Sequence, residues 1–276
     1  MREAGYEERY CLFLDILGFK SHVEDTLNLA QQAKRPMTFQ KLRSALCAIT
    51  AGTKYRDSVL VKGELLPSSR QVSQFSDSIV VSYPKKAPFG SGVTSIILDV
   101  HRLQLILIQK GILLRGAITV GRLFHDEDHV FGPALNDAVC LEKLANYPRV
   151  ILDRQVLEDA DLLESTRLAT DSPDGSILSM ITEDFDGQHY VDYINVHPLD
   201  FDDEWSDLRE YLESLRDLIK KLSNKNKVPS IRVKHSWLRS KFNAMSVPLQ
   251  DASFQKLGDQ VIPEDEVDMF HSIRPF

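Results

Sequence analysis

The chain is poor in cysteine, has no long apolar run and carries no positive charge excess. No segment approaches about 18 uninterrupted apolar residues, so no membrane span is expected. The three cysteines, Cys11, Cys47 and Cys140, lack metal-type spacing and lie in apolar or helical contexts, which predicts reduced, buried thiols. The net charge of -7 argues against broad binding to a nucleic-acid backbone.

The N-terminus is charged and leads directly into a predicted strand, which is not the pattern of a signal peptide. These absences together indicate a cytoplasmic protein that has neither a membrane nor a nucleic acid as a partner. Hydrophobic residues make up 43% of the 276 residues, enough for one sizeable core or a core with an appendage.

The hydrophobic periodicity predicts alternating strands and helices in the first half of the chain. The predicted strands are 10–14, 59–66, 72–83, 112–120 with 123–125 as a hairpin around Gly121, and 150–152. The predicted helices are 21–52, with Phe39, Leu42, Leu46 and Ile49 on one face, then 93–108 and 134–145. This order, β-α-β-β-α-β-α-β, resembles a ferredoxin-like core, and the predicted fold class is α+β.

The pattern loosens beyond about residue 158, where one strand over 189–195 and helices over 202–223 and 228–243 are predicted. The last thirty residues or so contain three prolines and are expected to be irregular. We therefore predict a core over 1–155 and a largely helical C-terminal extension over 156–276 that packs on the core.

Two acidic motifs carry the first chemical signal. Asp15 interrupts the apolar run Leu12–Phe19, and Asp77 interrupts the run Phe75–Val81. A carboxylate in such a run is costly to bury unless a partner compensates its charge. Two such strands side by side would bring both carboxylates to one end of a sheet, where they could hold divalent metal for phosphoryl or nucleotidyl transfer.

Two further motifs follow at 115–121, reading RGAITVG, and at 132–142, reading GPALNDAVCLE. With the two acidic motifs and the stretch Tyr147–Leu152, they resemble the catalytic domain of class III nucleotidyl cyclases. Within that superfamily the chain is most similar to the bacterial pyrimidine cyclases of anti-phage signalling, the Pycsar systems. The resemblance covers about residues 10–152.

The resemblance implies the roles of several residues. Asp15, Asp77 and the Ile16 carbonyl would hold two Mn2+ or Mg2+ ions per site, manganese being favoured, and Asn136 would act in catalysis. Such a site forms between two head-to-tail subunits, with the metals on one and the asparagine helix on the other, which implies a homodimer. Arg115 would bind substrate. The implied product is a cyclic nucleotide read by a separate effector in anti-phage defence.

Base selection is inferred from departures from the superfamily pattern. His129 stands where an adenine-reading aspartate is common, and 71–74 reads QVSQ without the usual base-reading lysine. A pyrimidine therefore fits better than a purine. We expect UTP to be preferred over CTP, with Tyr55 and Arg56 as a ring wall and a donor to the carbonyls of uracil.

Other interpretations remain open. Cys140 replaces the arginine that steadies the transition state in many class III cyclases, so the chain could be a catalytically inactive relative that binds nucleotide or a partner as a sensor dimer. A cyclic dinucleotide synthase would share the metal geometry, but its Gly-Gly-Asp-Glu-Phe signature is absent. Asp15 could cap a turn, Asn136 could cap a helix, and Arg115 could simply ion-pair within the sheet. His125 is expected at an exposed hairpin tip.

Overall fold

Glu7–Ile16 contains a continuous apolar run over Tyr10–Leu14, which is typical of a strand covered on both faces, and this segment forms the strand β1 in the interior of a mixed sheet. The computed structural model describes residues 5–27, 35–51, 58–61, 64–67, 70–86, 91–168, 176–225, 228–251, 253–254, 256–257 and 260–276. Two compact units are distinguished within the chain: Met1–Leu103 with Ile112–Val191, and Gln104–Gly111 with Asp192–Phe276.

The first unit contains the main sheet. Its further strands are β2 (Ser58–Val61), β3 (Glu64–Pro67), β4 (Gln71–Phe75), β5 (Ser78–Pro84), β6 (Leu114–His125), β7 (Val130–Phe131), β8 (Val150–Leu152), β9 (Ile181–Glu183) and β10 (His189–Val191). The helices are α1 (Phe19–Leu27), α2 (Arg35–Ala51), α3 (Gly92–Gln109, which continues into the second unit), α4 (Pro133–Glu142) and α5 (Arg154–Leu168).

The strand order is β4-β5-β1-β6-β8-β10-β9, with β7 paired to β6. The first four strands in space are joined by antiparallel ladders, with β1 between β5 and β6. Numbered by their order along the chain, β1, β4, β5 and β6 lie in the order 4-1-3-2, as in a ferredoxin-like sheet. The predicted α+β, ferredoxin-like fold class is therefore confirmed, and the separate β2–β3 hairpin is an addition to it.

Several predicted boundaries are wrong. The helix predicted over 21–52 is two helices, α1 and α2. Pro36 occupies the first turn of α2, where the missing N–H of proline costs nothing because first-turn N–H groups have no acceptor within the helix. Phe39 is exposed, while Ala45 and Ile49 are buried. The strands predicted over 59–66 and 72–83 are each a hairpin.

Gly121 does not make a turn. It continues β6 opposite Arg9, and Ala134 of α4 lies over it. The strand predicted over 189–195 ends at Val191, and Cys47 and Cys140 are exposed although buried thiols were expected. Cys11 is buried as predicted, and burial raises the pKa of its thiol to about 12.

One face of the sheet is covered by α4. Cys11, Val80 and Leu123 of the sheet form a buried apolar cluster with Ala134 and Ala138 of the helix. The small helix side chains allow close approach, and the strand backbones also pack tightly. At Gly116 an added Cβ would lie 2.5 Å from the carbonyl oxygen of Phe13, so only glycine fits there.

A fully buried arginine fixes the β9–β10 hairpin to the sheet. The Arg149 side chain has no exposed surface and is ion-paired with Asp184, while its Nη2 donates to Asp186 at 2.5 Å. Its Nε donates to the carbonyl of Ala145 at 3.0 Å, and its guanidinium lies 5.0 Å from the centre of the Tyr147 ring. The sequence motif at 147–149 thus has a structural role.

The second unit is mainly helical. It contains α6 (Glu204–Lys225), α7 (Pro229–Ser246), α8 (Glu264–Ser272) and the two-residue strands β11 (Lys256–Leu257) and β12 (Gln260–Val261). The predictions of α6 and α7 are confirmed, whereas the segment expected to be irregular contains α8. No helix in the described ranges is long and apolar enough to cross a membrane.

The two compact units divide after Val191, not at residue 155, because β9 and β10 extend the sheet of the first unit. The predicted packing of the extension on the core stays a prediction.

We expect Arg149→Ala to lower the free energy of unfolding by about 3–5 kcal/mol, because the fully buried Asp184 carboxylate would lose its counter-charge. Denaturant titration would measure the loss. Arg154→Ala is the matched control, since Arg154 forms an exposed ion pair with Glu158 one helical turn away and its loss should change little. A loss no larger than in this control would contradict the assigned role.

Candidate active site

A row of four paired residues crosses one end of the sheet. Phe75 of β4 is opposite Ser78 of β5, Ser78 is opposite Asp15 of β1, and Asp15 is opposite Arg115 of β6. Paired residues on neighbouring strands direct their side chains to the same face. This is the face covered by α4, because Phe13, two residues before Asp15, packs against the α4 cluster. The row therefore lies on the α4 side of the sheet.

Asp77 lies in the two-residue turn between β4 and β5, not within a strand as predicted. The turn requires a left-handed backbone at Ser76, whose φ is 58°, a conformation that glycine adopts most readily. The amide of Ile16 donates to the carbonyl of Asp77 at 3.3 Å. The structure thus brings Asp15, Ile16 and Asp77 together at one end of two adjacent strands.

Arg115 bridges two carboxylates. Its Nη2 donates to Oδ2 of Asp15 at 3.2 Å, and its Nε side is ion-paired with Glu142 at the end of α4. The Asp15 and Arg115 side chains are 25% and 23% exposed, whereas the Glu142 side chain is 6% exposed. Arg115 therefore forms ion pairs, one of the two roles that the sequence left open for it, and one of its partners is a candidate metal ligand.

Asn136 lies on the outer face of α4. The buried face of this helix is formed by Ala134, Ala138 and Glu142, while Asn136 and Cys140 are exposed, one turn apart. The helix begins at Gly132, whose φ of 145° favours glycine, so Asn136 is already inside the helix and does not cap it. Asn136 is six residues, about 9 Å of helix, from the end that reaches Arg115. The structure therefore does not bring Asn136 into the row around Asp15 within one chain.

The residues at this end of the sheet fit a hard divalent cation. Two carboxylates and nearby backbone carbonyls are oxygen donors of the kind that Mg2+ and Mn2+ prefer, with water and phosphate oxygens completing the coordination. Among the described residues no group of three or more His, Cys, Asp or Glu side chains could hold a metal by itself.

Other predicted positions differ in outcome. Tyr55 and Arg56 lie outside the described residues. The Oγ of Ser73, within the predicted base-reading stretch, is hydrogen-bonded to Nε2 of His125 at 3.0 Å. His129 is exposed.

Glu142 is the site residue that sequence reasoning did not assign. A signal was present, because Ala134, Ala138 and Glu142 follow the four-residue spacing of one helix face. A carboxylate at the end of a buried stripe needs a cationic partner, and Arg115 supplies it.

His125 is buried, not exposed as expected. Its Nδ1 is 2.8 Å from Oγ of Ser82, which also accepts a hydrogen bond from Nε of Arg9 at 2.9 Å. Burial, with a smaller contribution from the positive charge of Arg9, lowers the pKa of His125 to about 4. The imidazole is therefore neutral at physiological pH and links the end of β6 to β4 and β5.

A histidine with a lowered pKa makes stability depend on pH. The unfolded state takes up a proton near pH 6.5 and the folded state only near pH 4, so stability is full above pH 6.5 and falls between these values, by about 3 kcal/mol at most. We expect His125→Gln to flatten the dependence of the free energy of unfolding on pH in this window. His129→Gln, at an exposed position, is the control. An unchanged slope in the His125 variant would contradict the assignment.

No family model matches the chain, and no curated protein matches its sequence. Solved structures are similar to it. The adenylyl cyclase CyaB from P. aeruginosa is 12% identical, with a TM-score of 0.42, over 56% of this chain and 81% of that chain. The monomeric guanylyl cyclase domain of the RhoGC fusion protein from the aquatic fungus Blastocladiella emersonii is 12% identical, with a TM-score of 0.43, over 67% of this chain and 94% of that chain.

A class III adenylyl cyclase-like ATP-binding protein from Pseudomonas aeruginosa is also 12% identical, with a TM-score of 0.38, over 56% of this chain and 35% of that chain. At these identities and TM-scores the similarity transfers no activity to this chain.

Proposed function

We propose that this protein is a class III nucleotidyl cyclase that converts a pyrimidine nucleoside triphosphate, UTP in preference to CTP, into its 3′,5′-cyclic monophosphate and pyrophosphate. The observation that carries the proposal is the convergence of Asp15 and Asp77 at one end of a 4-1-3-2 sheet, beside Arg115. The four sequence motifs are the second support.

Asp15, Asp77 and the carbonyl of Ile16 would hold two Mn2+ or Mg2+ ions. When bound, such ions supply Lewis acidity that lowers the pKa of the ribose 3′-hydroxyl and neutralises the departing pyrophosphate. The nucleophile belongs to the substrate, so the protein needs no nucleophilic side chain. Its contribution is to position the triphosphate and to stabilise developing charge.

Arg115 suits the positioning role because its guanidinium is partly exposed beside Asp15 and anchored by Glu142. An arginine fork binds phosphate oxygens with defined geometry. Asn136 is exposed on α4 and away from Asp15, which is compatible with its action in the site of a second subunit. We therefore propose a head-to-tail homodimer in which the partner's Asn136 acts in catalysis.

The proposed base preference depends on what the base-reading stretch lacks. Gln71–Phe75 has no cationic side chain, and Ser73 is engaged with His125. We further propose that the enzyme is cytoplasmic and that its cyclic product activates a separate effector in anti-phage defence, as the motif resemblance implies.

A nucleotide-binding sensor dimer without cyclase activity is the alternative function. Cys140 offers an exposed thiol where many cyclases have an arginine, and Arg115 pairs with Asp15. In this alternative the protein would bind nucleotide without forming product.

Competition among equal concentrations of the four triphosphates with Mn2+, followed by mass analysis of the products, tests the proposed function. We expect cyclic UMP to dominate, cyclic CMP to be second and cyclic purine products to be minor. Asp15→Ala and Asp77→Ala should abolish product formation, because each removes a metal ligand. Glu158→Gln, on the exposed face of α5, should retain activity.

A dominant cyclic purine product would contradict the pyrimidine assignment. Nucleotide binding without any product would favour the sensor alternative. Wild-type turnover in either aspartate variant would contradict the metal assignment.

A shared site predicts complementation between two inactive variants. Mixing Asp77→Ala protein with Asn136→Ala protein should restore one intact site per heterodimer, because each subunit supplies the residue that the other lacks. Activity should return only after subunit exchange and should not exceed about half of the wild-type value. If verified heterodimers stay inactive, the site is not divided between subunits in this way.

A further inference from the structure

We infer that Glu142 is a positioning residue that sets the affinity of the proposed metal site by restraining the Arg115 guanidinium beside Asp15 and offsetting its charge. This inference rests on the proposed function, since it concerns the same site. It assigns a role to a residue at the end of α4 whose link to Asp15 runs through its ion pair with Arg115.

The first step is the order of the contacts. Glu142 is ion-paired with the Nε side of Arg115, and Nη2 of the same guanidinium donates to Oδ2 of Asp15. The three groups therefore form a chain of alternating charge from α4 to the end of β1. Asp77 lies beyond Asp15, in the β4–β5 turn next to Ser78, which is the residue paired with Asp15.

The second step is the difference in solvent exposure among these three side chains. The Glu142 side chain is 6% exposed, while those of Arg115 and Asp15 are 23% and 25% exposed. Glu142 is thus the fixed end, because a buried carboxylate paired with an arginine has little freedom to leave it. Arg115 and Asp15 form the end that is open to a ligand.

The third step is electrostatic. A positive charge next to Asp15 opposes the binding of a divalent cation there, and the negative charge of Glu142 offsets part of that opposition. Glu142 also determines where the arginine's charge lies, since an unanchored arginine would be free to engage both oxygens of Asp15 or to turn toward Asp77. The ion pair with Glu142 therefore has two effects. It holds Arg115 ready to bind phosphate, and it limits how far the arginine occupies Asp15.

Binding of Mn2+ alone, without nucleotide, tests this inference by electron paramagnetic resonance of the free ion. We expect Arg115→Met to bind Mn2+ about threefold to tenfold more tightly than the wild type, because it removes the opposing charge. We expect Glu142→Gln to bind about threefold to tenfold more weakly, because the arginine's charge is no longer offset or restrained. Glu158→Gln, which removes the carboxylate of the exposed Arg154–Glu158 pair, should not change the affinity.

The double variant Arg115→Met with Glu142→Gln separates an effect through Arg115 from a direct effect of the Glu142 charge. If Glu142 acts through Arg115, the double variant should bind Mn2+ within about twofold of Arg115→Met. It also removes both partners of the buried pair, which is less disruptive than removing one. This comparison remains available if Glu142→Gln alone fails to fold, as thermal unfolding would show.

Two outcomes overturn the inference: an unchanged Mn2+ affinity in folded Glu142→Gln, or a weakening by Glu142→Gln that persists in full in the Arg115→Met background. Asp15→Ala distinguishes this failure from failure of the proposed function. If Asp15→Ala binds Mn2+ as the wild type does, the metal site itself is wrong. If Asp15→Ala loses Mn2+ while Glu142→Gln does not change it, only the role of Glu142 is wrong.

Discussion

The register of β1 between β5 and β6 is the constraint on which the candidate site depends, because it sets Asp15 opposite both Ser78 and Arg115. A shift of one residue would turn Asp15 to the other face of the sheet, away from α4. The close approach at Gly116, where no Cβ fits against β1, strengthens this register on one side. The apolar core and the charged row are therefore fixed by the same pairing.

Two buried arginines hold described elements of the first unit together. Arg149 holds the β9–β10 hairpin through two aspartates, and Arg70 joins Asp99 of α3 to the last carbonyls of α2. Both pairs lie away from solvent, where losing one partner leaves an uncompensated charge. Arg115 differs, because its pair with Glu142 is buried on one side while its other side faces a partly exposed aspartate. That asymmetry leaves Arg115 partly exposed on the side that faces Asp15.

Sequence reasoning succeeded where a side-chain pattern had one structural solution. The apolar runs around Asp15 and Asp77 predicted neighbouring strands, and the order of elements predicted a ferredoxin-like core, which the observed 4-1-3-2 strand order matches. It failed where local signals were ambiguous. Gly121 is a residue type common in turns, but here it lies within β6 and leaves room for Ala134 of α4. The prediction of one helix over 21–52 gave no weight to Pro36.

By itself the sequence determined the fold class and the proximity of the two acidic motifs, since these follow from local periodicity and residue chemistry. The tertiary structure alone decided that Arg115 contacts both Asp15 and Glu142 and that His125 is buried beside Ser82. It also decided that Asn136 lies away from Asp15 within one chain. These facts depend on strand register and on how α4 lies across the sheet, and no local pattern encodes contacts between residues so far apart in the chain.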